Sequence, residues 1–579
     1  MIDHFTLLQE GQQYSAGVRC ERAQAATHSG RLWLLRIATA ILVPALLFGT
    51  VEATLRICGV GTPTGVTRPC TVRGRPAFCD NRWFTTQFFP PRIFRIPPPY
   101  AIPAAKPPGT VRIFILGESA AEGDPEPSYG FGRYLEVMLR EGFPEMRFEV
   151  INASITAINS HVLLPMAREL AHHQPDVFIL YAGNNEVVGP YGAGTVLTRQ
   201  ASSLPLIRTS IFVRSTLTGQ LLDQVGRGSK RPPPQWSGME MFLDQQVRAD
   251  SPLLAHVYAN FASNLRDIVA VARRSGARVV ISTVATNLKD CAPFASLHRA
   301  GIRDDALRSW SALVQRAAAL ENAGAYAEAL KLYLAAADID SEHAELQFRI
   351  ARCLWMLGDF PAARQRFLQA RDRDTLRFRA DSTTNNIIRS VAAETGPEVE
   401  LVDAATLFAA ESPHGVPGSE LFYEHVHMNP RGNYLLARAL FFRLASMLPQ
   451  AAARPAADGD VPSEADCERL LALTREDRSR VAANVLSRLR RPPFTNQLNH
   501  DEQILKTQRE AEAPSDSYDE TGAQYRWAIA RNPDDRLLHL NYGFLLLRRG
   551  DPSAAAEQFR SARPYDDASS ATPEGLYAR

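Results

Sequence analysis

The sequence has no excess of charge of one sign. Its 64 lysines and arginines are balanced by 62 aspartates and glutamates, which leaves a formal charge of +2 over 579 residues. This balance excludes the basic footprint of a nucleic-acid-binding protein. Cysteine is also scarce: the chain has 7, and none of them forms a CxxC pair or has zinc-finger spacing. We therefore expect no zinc site, no other metal and no cofactor.

The apolar residues make up 45% of the chain, which is typical of a globular protein and excludes a disordered chain or a multi-span membrane protein. One run, residues 32–51, has about the 20 residues that a helix needs to cross a bilayer. Arg56 follows it closely, whereas four arginines precede it or lie at its start: Arg19, Arg22, Arg31 and Arg36. The positive-inside rule then places the N-terminus in the cytoplasm and the rest of the chain in the periplasm or outside the cell. We expect an uncleaved single-pass anchor, with a cleaved signal peptide and a buried helix as the alternatives.

Changes in composition divide the chain into segments. A proline-rich stretch, residues 61–109, favours an extended linker over a helix. Within it, Cys70 and Cys79 flank a short loop and form either a disulfide or two unpaired thiols. The predicted segments are an N-terminus with its anchor (1–60), the linker (61–109), an α/β domain (110–300 plus 376–450), a helical insertion (301–375) and a linker with C-terminal helices (451–579).

Short apolar runs alternate with helical patterns from residue 110 onward. The runs read VRIFILG, FEVINA, DVFILYAG, ARVVISTVA and VELVDA. Continuous apolar runs separated by helices are typical of a parallel sheet that is covered on both faces. The sequence therefore predicts an α/β fold, specifically a three-layer α/β/α domain.

A repeat with a period of 34 residues interrupts this alternation before the last strand. It pairs small and aromatic residues at equal spacing: Gly324 with Gly358, Tyr326 with Phe360, Ala329 with Ala363, and Tyr333 with Phe367. Small residues let paired helices approach closely while the aromatic residues fill the gaps, and this pattern resembles the tetratricopeptide repeat. Gly550, Ala555 and Phe559 suggest a third copy near the C-terminus. The alternative is a set of amphipathic helices that share this spacing by chance.

Polar motifs follow three of the predicted strands and precede the last helix. Gly117-Glu118-Ser119-Ala120 follows the first strand, Asn152-Ala153-Ser154 the second, and Gly183-Asn184-Asn185-Glu186 the third. Glu424-His425-Val426-His427 lies far downstream. The carboxyl ends of parallel strands are where open α/β sheets place their sites. In their types and order these residues resemble the SGNH (GDSL-type) hydrolase family.

The resemblance implies a role for each of these positions. Ser119 would be the nucleophile, His427 its base, and Glu424 the carboxylate that orients the histidine. The oxyanion would be held by the N–H groups of Ser119 and Ser154 and by the side-chain amide of Asn185.

The chain departs from the family pattern in three places. It has Glu118 and Glu424 where the family usually has aspartate, and it has Ser154 where we align the usual glycine. A backbone N–H serves as an oxyanion donor from a residue other than glycine if its φ suits. Glutamate is one methylene longer than aspartate and can still reach a histidine ring.

Four further residues are candidates for other roles. His161 follows the second motif and is a candidate for substrate binding in the cleft, with a helix cap as the alternative. Arg377 and Arg379 are candidates for binding an anionic substrate, with surface salt bridges as the alternative. His425 and His427 form a His-x-His pair that with Glu424 could suggest a metal site, although no further ligand is placed beside them.

The residues and the resemblance together predict an extracytoplasmic serine esterase or acyl hydrolase that works through an acyl-Ser119 intermediate. Its substrate would be an acyl ester, with acylated sugars and lipids as the candidate classes. One alternative is an O-acyltransferase that acts on a polysaccharide. The other is a catalytically inactive scaffold whose repeat helices bind a protein partner.

Overall fold

The structure is a computed structural model, and it describes residue 33 and residues 36–90, 92–198, 200–227, 236–396, 398–447, 461–514 and 516–566. The arginines predicted to flank the anchor at positions 19, 22 and 31 lie outside the described residues. The chain divides into two compact units, one formed by residues 1–63 and 212–231 and the other by residues 64–211 and 232–579.

The strands within the described residues are β1 (Thr67–Val72), β2 (Arg75–Asp80), β3 (Ala101–Pro103), β4 (Thr110–Gly117), β5 (Arg147–Asn152), β6 (Val177–Tyr181), β7 (Arg278–Ser282) and β8 (Val399–Val402). The α-helices are α1 (Arg36–Ile57), α2 (Ser119–Glu122), α3 (Phe131–Gly142), α4 (Ser160–Leu170), α5 (Leu204–Ser215), α6 (Leu217–Arg227), α7 (Pro252–Arg274), α8 (Asp304–Asn322), α9 (Tyr326–Ile339), α10 (Ala344–Met356), α11 (Phe360–Arg373), α12 (Ser382–Glu394), α13 (Ala404–Ala410), α14 (Pro430–Met447), α15 (Glu464–Leu470), α16 (Arg475–Leu489), α17 (His500–Ala511), α18 (Tyr518–Arg531), α19 (Arg536–Arg548) and α20 (Pro552–Ser561).

The first unit contains α1 and α6. Within the part of the chain that the structure describes, α1 is the one helix that is long and apolar enough to cross a membrane, by length and composition. It is described from Arg36 and continues to Ile57, beyond the end of the predicted apolar run at residue 51. Glu52 of α1 accepts hydrogen bonds from the N–H and hydroxyl of Thr218, at 2.9 and 3.0 Å.

The second unit is organised around a five-stranded parallel sheet with the order β5-β4-β6-β7-β8. Strand β6 is buried along its whole length and β4 along most of it, as expected for central strands covered on both faces. Helices α3 and α14 pack together, and α7 packs against α4 and α12. The predicted α/β fold with its parallel sheet is confirmed.

The proline-rich stretch expected to be a linker contains an antiparallel sheet, β1-β2-β3. A disulfide joins Cys70 to Cys79 across β1 and β2. Phe84, Phe88 and Phe89 are buried in the same hydrophobic core as β4 and β6. These aromatic side chains explain the difference, because they give the segment apolar surface to bury that a proline count does not register.

The predicted helical insertion lies between β7 and β8 as four paired helices, α8 to α11. Two apolar clusters stabilise it, one around Tyr333 and the other around Phe348 and Phe367. Helices α15 to α20 follow α14. Ala555 and Phe559 of α20, which belong to the third predicted repeat, are both fully buried.

Candidate active site

Ser119 lies at the carboxyl end of β4, where the strand ends at Gly117 and the short helix α2 begins. Glycine is needed before it because a Cβ at position 117 would lie 2.3 Å from the carbonyl oxygen of Tyr181 on β6. The side chain of Glu118 crosses to the loop after β6 and accepts N–H bonds from Gly183, Asn184 and Asn185 at 3.2, 2.9 and 3.3 Å. One buried carboxyl group thus fixes two of the predicted motifs against each other.

The pKa of Glu118 lies well above its usual range, because burial disfavours the charge and Glu186 lies nearby. Glu186 is itself buried, and burial raises its pKa to about 7. Its carboxyl group accepts hydrogen bonds from the N–H and hydroxyl of Ser160, each at 2.8 Å. These contacts fix the loops that follow β5 and β6.

His427 lies beside Ser119, with its Nε2 atom 2.8 Å from the serine Oγ. Its Nδ1 atom is hydrogen-bonded to the carboxylate of Glu424, and both side chains are buried. A tight turn brings them to the same side: the N–H of Tyr423 donates to the carbonyl of His427 at 2.9 Å. Asn287 supports the turn by donating to the carbonyl oxygens of Glu424 and His425, each at 3.0 Å. The three predicted catalytic side chains form one continuous hydrogen-bonded chain.

Burial lowers the pKa of His427 to about 4, which keeps the ring neutral and able to accept a proton. Asp124 opposes this effect, because its Oδ2 atom is 3.2 Å from Nε2 of the histidine. Arg488 of α16 binds both oxygens of that aspartate at 2.6 Å and partly neutralises it. Although burial acts in the other direction, His427 and Arg488 hold the pKa of Asp124 below its usual value.

The loop after β5 presents to the cavity a different residue from the one aligned as an oxyanion donor. Ser154 is completely buried, and its N–H donates to Oδ1 of Asn152 at 3.1 Å. Ser154 does not line the cavity that contains Ser119, whereas Ala157 and Asn185 do. Ala157 has a φ of 63°, the left-handed conformation for which a glycine would be the usual residue. Ala157, and not Ser154, is therefore the residue of this loop that lines the cavity beside Ser119.

Ser119 and His427 open into a cavity of about 340 Å³. One part of its lining is apolar and comes from Val188, Leu197, Trp236, Met239, Phe242, Phe378 and Phe494. The polar part comes from Arg95, Asp124, Thr156, Asn185, His425, Arg488 and Arg491. Arginines 95, 488 and 491 lie far from the motifs in sequence, and only the fold brings them to this cavity.

The three residues predicted to bind substrate, His161, Arg377 and Arg379, do not line this cavity. His161 is buried against Tyr191, and its Nδ1 atom lies 3.1 Å from the side-chain amide of Asn264. Arg377 is paired with Asp381 at 3.0 Å, and Arg379 with Asp374 at the same distance. All three side chains are buried in internal contacts, so the structure gives none of them a contact with the cavity. Salt bridges were the expected alternative for the arginines, but these are buried instead of lying on the surface.

Glu424, His425 and His427 have potential metal-ligand atoms that lie within 4.8 Å of one another. The Glu424 carboxylate already accepts a hydrogen bond from each of the two imidazole rings at Nδ1. These contacts give each of its oxygens a hydrogen-bonding role without an ion. The ligand atoms of this cluster therefore contact one another through hydrogen bonds centred on Glu424.

Comparisons with known proteins agree with the repeat prediction. The tetratricopeptide repeat family model matches residues 322–381, which confirms the repeats in this segment. A comparison with curated protein sequences finds no match.

Solved structures similar to the chain include the acetyl xylan esterase AlAXEase, with 12% identity and a TM-score of 0.28 over 58% of this chain and 100% of that one. The acetylxylan esterase Axe2 from Geobacillus stearothermophilus has 13% identity and a TM-score of 0.26 over 57% of this chain and 92% of its own. A GDSL-like lipase from Parabacteroides merdae has 11% identity and a TM-score of 0.25 over 57% and 93%. The sheet order and the repeat match together show a parallel α/β fold with tetratricopeptide repeats at residues 322–381.

Proposed function

We propose that this protein is a serine ester hydrolase that works through an acyl-Ser119 intermediate. The observation that supports it best is the hydrogen-bonded chain from Glu424 through both ring nitrogens of His427 to Oγ of Ser119, which is 2.8 Å from Nε2. This arrangement activates a serine, because the histidine accepts the hydroxyl proton while the carboxylate stabilises the imidazolium that forms.

In the first half of the reaction, Oγ of Ser119 attacks the ester carbonyl carbon and its proton moves to Nε2 of His427. The negative charge on the carbonyl oxygen is stabilised by the N–H groups of Ser119 and Ala157 and by the Asn185 amide. The tetrahedral intermediate then collapses, the bond to the alcohol oxygen breaks, and His427 protonates the departing alcohol. Acyl-Ser119 remains.

In the second half, water attacks the acyl carbon and gives its proton to His427. Collapse of this second intermediate releases the carboxylic acid, and the proton returns to Oγ of Ser119. Asp124 lies 3.2 Å from Nε2, so it stabilises the protonated ring in both halves. Its bond to Arg488 limits this stabilisation and allows the ring to release the proton again.

Separate observations support the location and the partner. The length and composition of α1, together with the arginine bias of the sequence, support a single-pass anchor with the catalytic domain in the periplasm or outside the cell. The matched repeats at residues 322–381 support a protein partner that binds helices α8 to α11.

The test is hydrolysis of 4-nitrophenyl acetate by the purified full-length chain in detergent. Ser119→Ala should lower kcat by at least about a thousandfold, and Asn185→Ala by about 10²–10³. Ser309→Ala, which changes an exposed serine of α8, is the matched control and should retain the native rate. A Ser119→Ala rate equal to that of the native chain would refute the proposal.

A further inference from the structure

Arg95 differs from the other arginines of the catalytic cavity in its contacts. Its guanidinium lies over the ring of Trp236, with 4.5 Å between the guanidinium carbon and the ring centroid. Its Nε atom is buried and has no hydrogen-bond partner among the described residues. Arg488, by contrast, uses its guanidinium on both oxygens of Asp124. The Nε–H group of Arg95 is therefore a buried donor without an acceptor among the described residues.

The charged side chains that line the cavity do not sum to zero. Asp124 and Arg488 form a pair at 2.6 Å, which leaves Arg95 and Arg491 as the remaining charged side chains in the cavity lining. Glu122 acts electrostatically on Arg95, as Asp124 does, but Glu122 does not line the cavity. Burial raises its pKa to about 7, and it accepts a hydrogen bond from Thr156 at 2.6 Å. With three arginines and one aspartate, the lining of the cavity has a net positive charge.

We propose that the catalytic cavity takes esters that carry an anionic group, either a carboxylate or a phosphate, and that Arg95 binds this group. The inference rests on the proposed ester hydrolysis and specifies its substrate class. An apolar part of the same substrate would contact Trp236, Met239 and Phe242, which line the cavity beside the arginine.

The chemistry of the guanidinium favours this occupant. Its planar donors match the two oxygens of a carboxylate or phosphate, and such charge-assisted bonds are stronger than neutral ones. Stacking on Trp236 holds the plane of the group, so that less side-chain entropy is lost when the anion binds. A buried donor without an acceptor is unfavourable, and an anionic substrate would remove that penalty.

The experiment compares matched esters on the full-length chain. The first pair is 4-nitrophenyl hemisuccinate and its neutral methyl ester, and the second pair replaces the carboxylate with a phosphonate and its neutral dimethyl ester. In at least one pair, the native chain should have a kcat/KM at least about tenfold higher for the anionic member. The pair that shows the preference identifies the anion.

Variants assign the preference to one side chain. Arg95→Gln should reduce the anionic-to-neutral ratio of kcat/KM to about one, and Arg95→Lys should give an intermediate ratio because the charge remains without the planar fork. Arg147→Gln, which changes an exposed arginine at the amino end of β5, is the matched control and should leave the ratio unchanged. Circular dichroism of each variant checks that it is folded.

A second readout does not depend on turnover. Inorganic phosphate should raise the midpoint of thermal unfolding of the native chain and leave that of Arg95→Gln unchanged. Turnover without preference in either pair, or a preference that survives Arg95→Gln, would overturn the inference while the hydrolase proposal stands. Absence of turnover would count against the hydrolase proposal, and the phosphate measurement would then decide whether the anion site exists.

Discussion

The two helical regions that accompany the sheet differ in what they contribute to the catalytic cavity. Helices α8 to α11, which carry the recognisable repeats, supply none of the described residues that line it. The C-terminal region supplies Arg488, Arg491, Pro492 and Phe494. The region with the clearest sequence pattern, the repeats, is thus not the region that completes the lining of the cavity.

The hydrophobic cores explain this division. Helices α8 to α10 bury Tyr333 in a cluster formed by repeat residues alone, whereas Phe348 and Phe367 share a cluster with Leu288, Ala292 and Val416 outside the repeats. Val485, Leu489 and Phe494 of the C-terminal region belong to the same core as the sheet. Ion pairs strengthen the second contact, including Arg480 with Glu126 at 2.6 Å. The C-terminal segment around Phe494 therefore shares the core of the sheet, whereas the repeats contact the α/β domain through a separate, smaller cluster.

The largest expected effects come from deleting one buried phenylalanine in each region. Phe494→Ala and Phe367→Ala should each lower the free energy of unfolding by about 3–5 kcal/mol, because both rings are buried in packed cores. Only Phe494→Ala should also change kcat/KM, since Phe494 lines the cavity and packs against His425 with 5.7 Å between ring centroids. Urea unfolding and ester hydrolysis measure the two quantities. Equal losses of activity in the folded variants would remove the distinction between the regions.

A matched arginine in the repeats gives the next largest effect. Arg349 of α10 contacts Glu321 at 3.0 Å and Glu345 at 2.8 Å. Arg349→Met should lower stability by about 2–3 kcal/mol, because the buried Glu321 loses its closest cation while Arg352 partly compensates. Its kcat/KM should remain native when the measurement is made well below the unfolding midpoint. A loss of activity in this variant would connect the repeats to the site after all.

The same substitution in the C-terminal region should act on catalysis. Arg488→Met leaves Asp124 without its cation, 3.2 Å from Nε2 of His427. The uncompensated carboxylate favours the imidazolium and raises the pKa of His427, so the acidic limb of the kcat/KM profile should move to higher pH by about one unit. The rate near that limb should fall by about tenfold. A profile that does not move would show that Arg488 acts only as packing.

The smallest effect is expected in the native chain, as a lowered pH at which activity is lost. Activity requires neutral His427, so kcat/KM falls as the pH falls through the pKa of the free enzyme. Because burial lowers that pKa to about 4, activity should persist at pH values where an ordinary histidine is already protonated. An acidic limb at the usual histidine value near about 6.5 would contradict the burial argument.

The sheet and the repeats could be predicted because their signals are local. Continuous apolar runs correspond to β4 to β8, and the period of 34 residues corresponds to the matched repeats. Ser119, Glu424 and His427 were found from their order along the chain. The contact of 2.8 Å between Ser119 and His427 depends on the fold, because the two residues are 308 positions apart in the sequence.

The rest of the site depends on conformation and on distant contacts. Sequence gives no reason to prefer Ala157 to Ser154 as a donor, because the left-handed φ of an alanine is set by its surroundings. Asp124, Arg95 and Arg488 come together only through packing of separate segments. Arg377 and Arg379 follow the repeats in the sequence, and nothing local predicts the buried aspartates that pair with both of them.

The central claim is that Ser119 is an activated nucleophile, and labelling with a fluorophosphonate probe tests it most directly. Intact-mass spectrometry of the full-length chain should show one adduct, and peptide mapping should place it on Ser119. Ser119→Ala and His427→Ala should abolish the adduct, whereas Ser309→Ala should retain it. A folded native chain that does not react, or an adduct that survives Ser119→Ala, would contradict the account and favour a scaffold that binds a partner through its repeats.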